Sequence, residues 1–265
     1  QKGNTKPRVF RLLEDEAIIN NLGFNNIGAD KVKIKLSKLK NINPINGIIG
    51  VNIGKNRDSQ DYISDYSLCL KKLGPLVDYV TINISSPNTK GLRDLQNEAE
   101  IKKLFNQLNI IKKQNSNLEK KILLLKIAPD LKDHELNSIA KISMELDING
   151  IIISNTTTER STSLISNNKD KLGGLSGRPL FNKSTNILKK MYSFTEGKIP
   201  LIGVGGVSNG KDCYQKIKSG ASLVQLYTSL IYQGPKVVES MQKELVDCIK
   251  NDGYKNIKDA IGKEA

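Results

Sequence analysis

Histidine is nearly missing from this chain and tryptophan is wholly missing. Among 265 residues His134 is the single histidine. It sits in a polar helical pattern, so this chain has no means to build a histidine-based nucleophilic triad or a histidine-rich metal site. Cysteine is scarce as well. Cys69, Cys213 and Cys248 are odd in number, far apart and without metal-ligand spacing, and they read as reduced, partly buried thiols of a reducing compartment. No apolar run approaches the roughly 18 residues that a membrane helix requires. Gln1 opens a polar stretch with no signal-peptide pattern, so any targeting or membrane segment is expected upstream of it.

Positive charge is plentiful. Lys and Arg number 41 against 27 Asp and Glu, for a net charge of +14. The lysines are scattered among Asn and Ile rather than clustered with aromatics, which favours a solvated surface over a nucleic-acid interface. Attraction to anionic phosphate or lipid is the secondary reading.

What the chain does have is a recurring alternation. Apolar, β-branched runs end in polar or Gly-rich residues and are followed by helical patterns. The strands are predicted at 48–53, 77–83, 122–127, 150–154, 199–204 and 221–226. The intervening helices are predicted near 58–73, 98–114, 133–146, 185–192, 211–218 and 235–250. Residues 1–11 read as a loop, 14–22 as a short helix, and the stretch from Asn155 through Gly177 as a polar, mobile loop. Continuously apolar strands between helices indicate a parallel sheet covered on both faces. The spacing suits βα units of a barrel, although a closed one needs eight strands and six are counted. The polar opening residues favour a chain that lacks the first two.

In such folds ligands bind at the carboxyl ends of the strands. The stretch from Val80 to Arg93 puts Asn83, Ser85, Ser86 and Asn88 there, uncharged groups that can read a small planar molecule. The competing reading is a capped strand-to-helix turn. Gly203-Val204-Gly205-Gly206 and Leu226-Tyr227-Thr228, at consecutive strand ends, fit a phosphate cradle, although tight turns would also use these glycines. Lys126 interrupts an apolar strand, where a lysine is costly unless it snorkels out, pairs, or meets an anion in the barrel mouth.

Taken together these blocks resemble the dihydroorotate dehydrogenases, specifically the class 2, quinone-linked branch. The signatures are Gly3 to Arg11, Ile19 to Asn25, Gly50 to Asn56, Asn83 to Asn88, Lys126 to Asp130, Ser154 to Thr157, Gly173 to Gly177, Ile202 to Gly206 and Val224 to Thr228. They run in order along nearly the whole chain. The resemblance implies one FMN-binding α/β domain over residues 1–265, a (β/α)8 TIM barrel whose first two strands are missing, as the C-terminal part of a longer parent. It implies oxidation of (S)-dihydroorotate to orotate in pyrimidine synthesis, with a ubiquinone-type quinone as acceptor.

Ser86 would take a proton from substrate carbon 5 while hydride passes from carbon 6 to the flavin; class 1 enzymes use cysteine there. With no histidine to activate it, Ser86 is expected to work through a proton relay of a neighbouring hydroxyl or water. Asn20, Asn83, Asn88, Asn155 and Thr156 would hold the orotate, and Asn20, Asn21, Leu22, Gly23 and Phe24 would line the substrate side. Asn52, Asn83, Lys126 and Ser154 would contact the flavin. Gly177, Gly205, Gly206, Tyr227 and Thr228 would hold its phosphate end. Arg11 would face the quinone passage. No metal and no nucleic-acid partner are implied. The implied location is the mitochondrial inner membrane in a eukaryote, or the periphery of the bacterial inner membrane, reached through an N-terminal region absent here. Alternatives are another FMN barrel, class 1-like or a dihydrouridine synthase, or a non-catalytic phosphate- or nucleic-acid-binding barrel. Leu22 and Ser154 stand where some family members carry tyrosine and threonine.

Overall fold

The strand and helix patterns resolve into one parallel sheet wrapped by helices, with a small antiparallel sheet beside it. The computed structural model describes residues 1–42 and 47–265. The elements, in chain order, are β1 (Val9–Leu12), β2 (Ala17–Asn20), α1 (Ala29–Ile42), β3 (Gly50–Ile53), α2 (Tyr62–Leu73), β4 (Tyr79–Asn83), α3 (Glu98–Lys113), β5 (Ile122–Ile127) and α4 (Asp133–Glu145). Then follow β6 (Gly150–Ile153), β7 (Gly174–Gly177), α5 (Phe181–Phe194), β8 (Leu201–Val204), α6 (Gly210–Lys218), β9 (Ala221–Gln225), α7 (Thr228–Gln233) and α8 (Lys236–Asn251).

The parallel strands lie in the order β3-β4-β5-β6-β8-β9, so that sequence neighbours are spatial neighbours throughout. Among the described residues the sheet has six strands and stays open between β3 and β9. The period of two along each strand separates two cores. On β5, Leu123, Leu125 and Ile127 face the helices and join the main core, with Ile82 and Ile84 from β4 and its loop, and Ile151 and Ile153 from β6. Leu124 faces the other way and meets Ile152, Ile202, Tyr79 and Val204 in a compact inner cluster. Gly50 leaves room for that interior, since a Cβ there would fall 2.1 Å from the Tyr79 ring. Side-chain caps start α2, α3 and α6: Asp61 accepts the Ser64 N–H, Asn97 that of Glu100, and Asn209 that of Asp212.

The N-terminal segment departs from its sequence reading. Residues 14–22, an acidic start followed by Ala17-Ile18-Ile19 and Leu22, read as helix, and 1–11 read as loop. Instead Ala17–Asn20 is the central strand of a three-stranded antiparallel sheet, flanked by β1 and β7. The local propensity for helix is weak, and pairing on both edges together with complete burial of Ala17 and Ile19 overrides it. The polar stretch expected as loop through Gly177 likewise ends in a strand, Gly174–Gly177, paired with β2. Arg160 ties its earlier part together by donating to the carbonyls of Lys169, Lys171 and Gly173.

Candidate active site

Along each inner row of the barrel the side chains change from apolar to polar toward the carboxyl end. On β5 Leu124 gives way to Lys126; on β6 and the residue after it, Ile152 gives way to Ser154. Asn83 is paired in register with Lys126, which is paired with Ile152. Above the apolar floor a cavity of about 720 Å³ opens. Its wall includes Asn52, Lys126, Ser154, Asn155 and Thr156 from the strand ends, and Ile18, Asn20, Ser176 and Gly177 from the antiparallel sheet.

Lys126 is ringed by protein, and burial pushes its ammonium below the usual lysine range. Among the described residues no carboxylate or other acceptor bonds it. An uncompensated cation on the wall of a cavity is matched best by an anionic or electron-rich ligand. Beside it the amides form a chain. Asn83 Oδ1 accepts from Ser85 N–H at 3.1 Å and Ser85 Oγ at 2.9 Å. Asn155 Nδ2 donates to Ser85 Oγ at 3.0 Å and reaches Asn83 Oδ1 at 3.4 Å. Asn88 Nδ2 donates to the Asn20 carbonyl and side-chain oxygens at 2.9 and 3.0 Å, tying the loop after β4 to β2.

At the far end the wall turns glycine-rich. Gly205 and Gly206 have φ of 116° and 75°. A Cβ on Gly206 would fall 2.5 Å from Phe181 Cβ, so backbone alone fits between the sheet and the start of α5. Gly177, Leu226, Tyr227, Thr228 and Ser229 complete this end. Thr228 Oγ1 donates to Ser176 Oγ at 2.9 Å. The Ser229 hydroxyl has no hydrogen-bond partner among the described residues.

The sequence-derived residues therefore divide in two. Asn20, Leu22, Asn52, Lys126, Ser154, Asn155, Thr156, Gly177, Gly205, Gly206, Tyr227 and Thr228 line one cavity. Asn21, Gly23, Phe24, Asn83, Ser86 and Asn88 are not among the residues that line it. Ser86 is 9% exposed and its Oγ accepts the Asn88 N–H at 3.2 Å. No histidine, carboxylate or lysine among the described residues bonds that hydroxyl. Asn21 accepts from Asn4 Nδ2 at 2.7 Å, and the Phe24 ring lies 3.2 Å from where a Cβ of Gly54 would stand. Arg11 lies outside the wall, on β1, close enough for its charge to act on Tyr232. The Tyr232 hydroxyl donates to the Ala17 carbonyl at 2.8 Å.

Sequence reasoning missed Tyr232, Ile231 and Gln233 of α7, Val9 and Ile18 of the antiparallel sheet, and Arg178 and Ser208, all on the wall. It also passed over the Asp130 cluster. This carboxylate accepts from Arg93 Nη1 at 2.8 Å, Lys183 Nζ at 2.8 Å, the Thr157 hydroxyl and the Thr158 N–H at 3.1 Å. Burial pushes the carboxyl up, but the hydrogen bonds from Lys183, Thr157, Thr158 and Arg93 together outweigh it and hold the group down at about 2. Lys126-Ile127-Ala128-Pro129-Asp130 was singled out as a motif, and an acid directly after a strand end was the available signal. Among the described residues no group of three or more His, Cys, Asp or Glu could hold a metal. No helix among them is long and apolar enough to cross a membrane.

Comparison with known proteins gives the same direction from every side. A family model described as dihydroorotate dehydrogenase matches residues 1–249. The mitochondrial dihydroorotate dehydrogenase (quinone) of Mus musculus is 44% identical over 266 residues, covering 99% of this chain and 67% of that protein. The dihydroorotate dehydrogenase (quinone) of Parvibaculum lavamentivorans is 47% identical over 262 residues, covering 99% of this chain and 73% of that protein. The mitochondrial enzyme of Arabidopsis thaliana is 45% identical over 287 residues, covering 99% of this chain and 62% of that protein. Among solved structures, the ligand-free DHODH of Eimeria tenella superposes with a TM-score of 0.94 at 40% identity, covering 100% of this chain and 78% of that one.

Proposed function

The chain belongs to the dihydroorotate dehydrogenase family, whose enzymes are FMN-dependent flavoproteins, and on that premise we propose that it oxidises dihydroorotate to orotate and passes the electrons to a quinone. The observation that carries the reading is one cavity that joins an unpaired lysine and a row of amides to a glycine cradle. The parts fit FMN chemically. The Gly205–Gly206 turn admits no side chain, as a phosphate cradle requires, and Lys126 supplies a cation without a partner among the described residues.

FMN, when bound, supplies the acceptor for the hydride leaving substrate carbon 6. The rest falls to this chain's residues. Gly205, Gly206, Tyr227 and Thr228 would hold the phosphate, and Asn52, Asn83, Lys126 and Ser154 the ring system, with Lys126 favouring negative charge near it. Asn20, Asn88, Asn155 and Thr156 would orient the planar substrate by directional hydrogen bonds. Their placement is preorganised, because Asn88 is already fixed to Asn20 and Asn155 to Ser85. Asn21, Leu22, Gly23 and Phe24 would close the substrate side.

Ser86 would accept the carbon 5 proton. Its hydroxyl keeps one accepting position on the Asn88 N–H and has no basic side chain to activate it, which supports transfer onward through a neighbouring hydroxyl or water. Arg11, on β1, and Tyr232, on the cavity wall, would border the quinone's approach. The quinone-linked relatives include mitochondrial proteins of mouse and plants as well as bacterial ones. The proposed location is the mitochondrial inner membrane for a eukaryotic source and the bacterial inner membrane otherwise; the mitochondrial names of the mouse and plant relatives support its organelle part.

The test is an absorbance titration of the FMN-loaded chain with dihydroorotate under anaerobic conditions. The flavin band is expected to bleach, and added quinone to restore it. A loaded protein whose band does not respond to dihydroorotate would overturn the reading.

A further inference from the structure

Lys216, on α6, is completely buried, yet among the described residues no acid is hydrogen-bonded or ion-paired to it. Its Nζ donates to Ser184 Oγ at 2.6 Å and Thr185 Oγ1 at 2.8 Å, with the Phe181 carbonyl at 3.4 Å. It also lies 4.8 Å from the centroid of the Phe181 ring. All of these partners are neutral. Asp212, one turn earlier on α6, is the acid whose field reaches it, but that carboxylate is committed to the Ser208 N–H and hydroxyl at 2.9 and 2.7 Å. Glu244 of α8 accepts from the Gly210 N–H. Strand β8 presents Gly203 to the lysine stem, where a Cβ would stand 3.2 Å from Lys216 Cβ. Burial accordingly lowers the ammonium, to about 7.

A buried ammonium without an anion is costly, and an apolar side chain could fill the same space. The location suggests what offsets that cost. Ser184, the closest partner of Lys216, donates in turn to the Gly205 carbonyl at 3.0 Å. Phe181, whose ring and carbonyl face the ammonium, is the residue against which Gly206 closes. The amine therefore stands one hydroxyl away from the Gly205–Gly206 turn, on the protein side of the cradle.

We propose that Lys216 is the buried counter-cation of the phosphate cradle, a positioning residue whose charge favours a doubly negative phosphate group at the Gly205–Gly206 turn without touching it. This rests on the reading that the cavity takes FMN. Because the lysine is sealed from solvent, its field is not screened by water or salt as a surface lysine's would be. The consequence is selectivity for the phosphorylated flavin over the same ring system without phosphate.

The test compares FMN with riboflavin by flavin fluorescence titration of the wild-type chain and of K216M and K216Q. The glutamine keeps a donor for Ser184 and Thr185 but removes the charge. Both variants are expected to lose about tenfold or more in FMN affinity while riboflavin affinity changes little, so that the ratio of the two constants collapses. A variant that binds FMN as the wild type does, or that weakens both flavins equally, would overturn the proposal and leave the family reading intact. A wild-type chain that binds neither flavin would remove the cofactor reading and the proposal with it.

Discussion

The Arg93 guanidinium lies 2.8 Å from the Asp130 carboxylate, and the other two nitrogens of the same group reach two different loops. Nε donates to the Ser85 carbonyl at 3.1 Å and Nη2 to the Thr156 carbonyl at 2.9 Å. One planar fork thus fixes the loop that carries Ser86 and the loop that carries Thr156 to the end of β5. Arg93→Met should therefore cost more than an ordinary exposed ion pair, about 2 kcal/mol by urea denaturation, because two part-buried carbonyls lose their donor. It should also lower kcat/KM for dihydroorotate while FMN affinity stays near wild type. Unchanged kcat/KM would show that the loops hold their places without the fork.

The same cluster makes a prediction about acid. Asp130 is held at about 2 in the folded chain, below the roughly 3.9 of an unfolded aspartate. The unfolded state therefore binds more protons in that interval, so the contribution is complete above about pH 4 and is lost as pH falls toward 2. Acid unfolding followed by circular dichroism should show wild type losing stability over that window. Asp130→Asn should be less stable at neutral pH and show a flatter acid limb. Parallel acid limbs for the two proteins would mean that Asp130 is not a titrating contributor.

Much of this arrangement was legible beforehand, for identifiable reasons. Ile122–Ile127 is legible with its true ends because a leucine-rich apolar run, broken only by Lys126, is bounded there by Lys121 on one side and Ala128-Pro129 on the other. The Gly205–Gly206 turn was legible because positive φ restricts the residue type. Strand β2 is not, since one of its two partners, β7, lies more than 150 residues away and that pairing leaves no local trace. Lys216 hides in Gln215-Lys216-Ile217-Lys218, which looks like a solvated helix. Yet Cys213 and Ile217 are buried and Lys216 shares their face by the helical repeat, a signal that charge alone obscured.

Lys126 should show opposite effects on stability and function. Lowered by burial and unpaired, its ammonium binds fewer protons in the folded chain than in the unfolded one over an interval below the usual lysine value. The cost of burying the charge is therefore present at neutral pH and relieved as pH rises through that interval. Lys126→Met should stabilise the flavin-free chain by about 1 kcal/mol or more and abolish the rise in stability toward high pH. The same change should weaken FMN binding and slow flavin reduction. A methionine variant that is destabilised in the flavin-free state would show that Lys126 is held by the protein rather than for a ligand.

Ser86 offers the sharpest separation of chemistry from structure. Its hydroxyl accepts one hydrogen bond, from the Asn88 N–H, so Ser86→Ala should cost only about 1 kcal/mol of stability. If the hydroxyl receives the carbon 5 proton, the same variant should reduce its flavin at least about a hundredfold more slowly when mixed anaerobically with dihydroorotate. Ser86→Cys is the more informative partner. A thiol ionises near 8.5, far below an aliphatic hydroxyl, so it becomes a base on its own without a relay. The cysteine variant should retain flavin reduction, and its rate should rise with a single ionisation near that value. The serine enzyme, dependent on onward transfer from Ser86, should show no thiol-like step. Ser86→Ala turning over as fast as wild type would remove Ser86 from the reaction and move the search for the base to Asn88's other neighbours around Asn20.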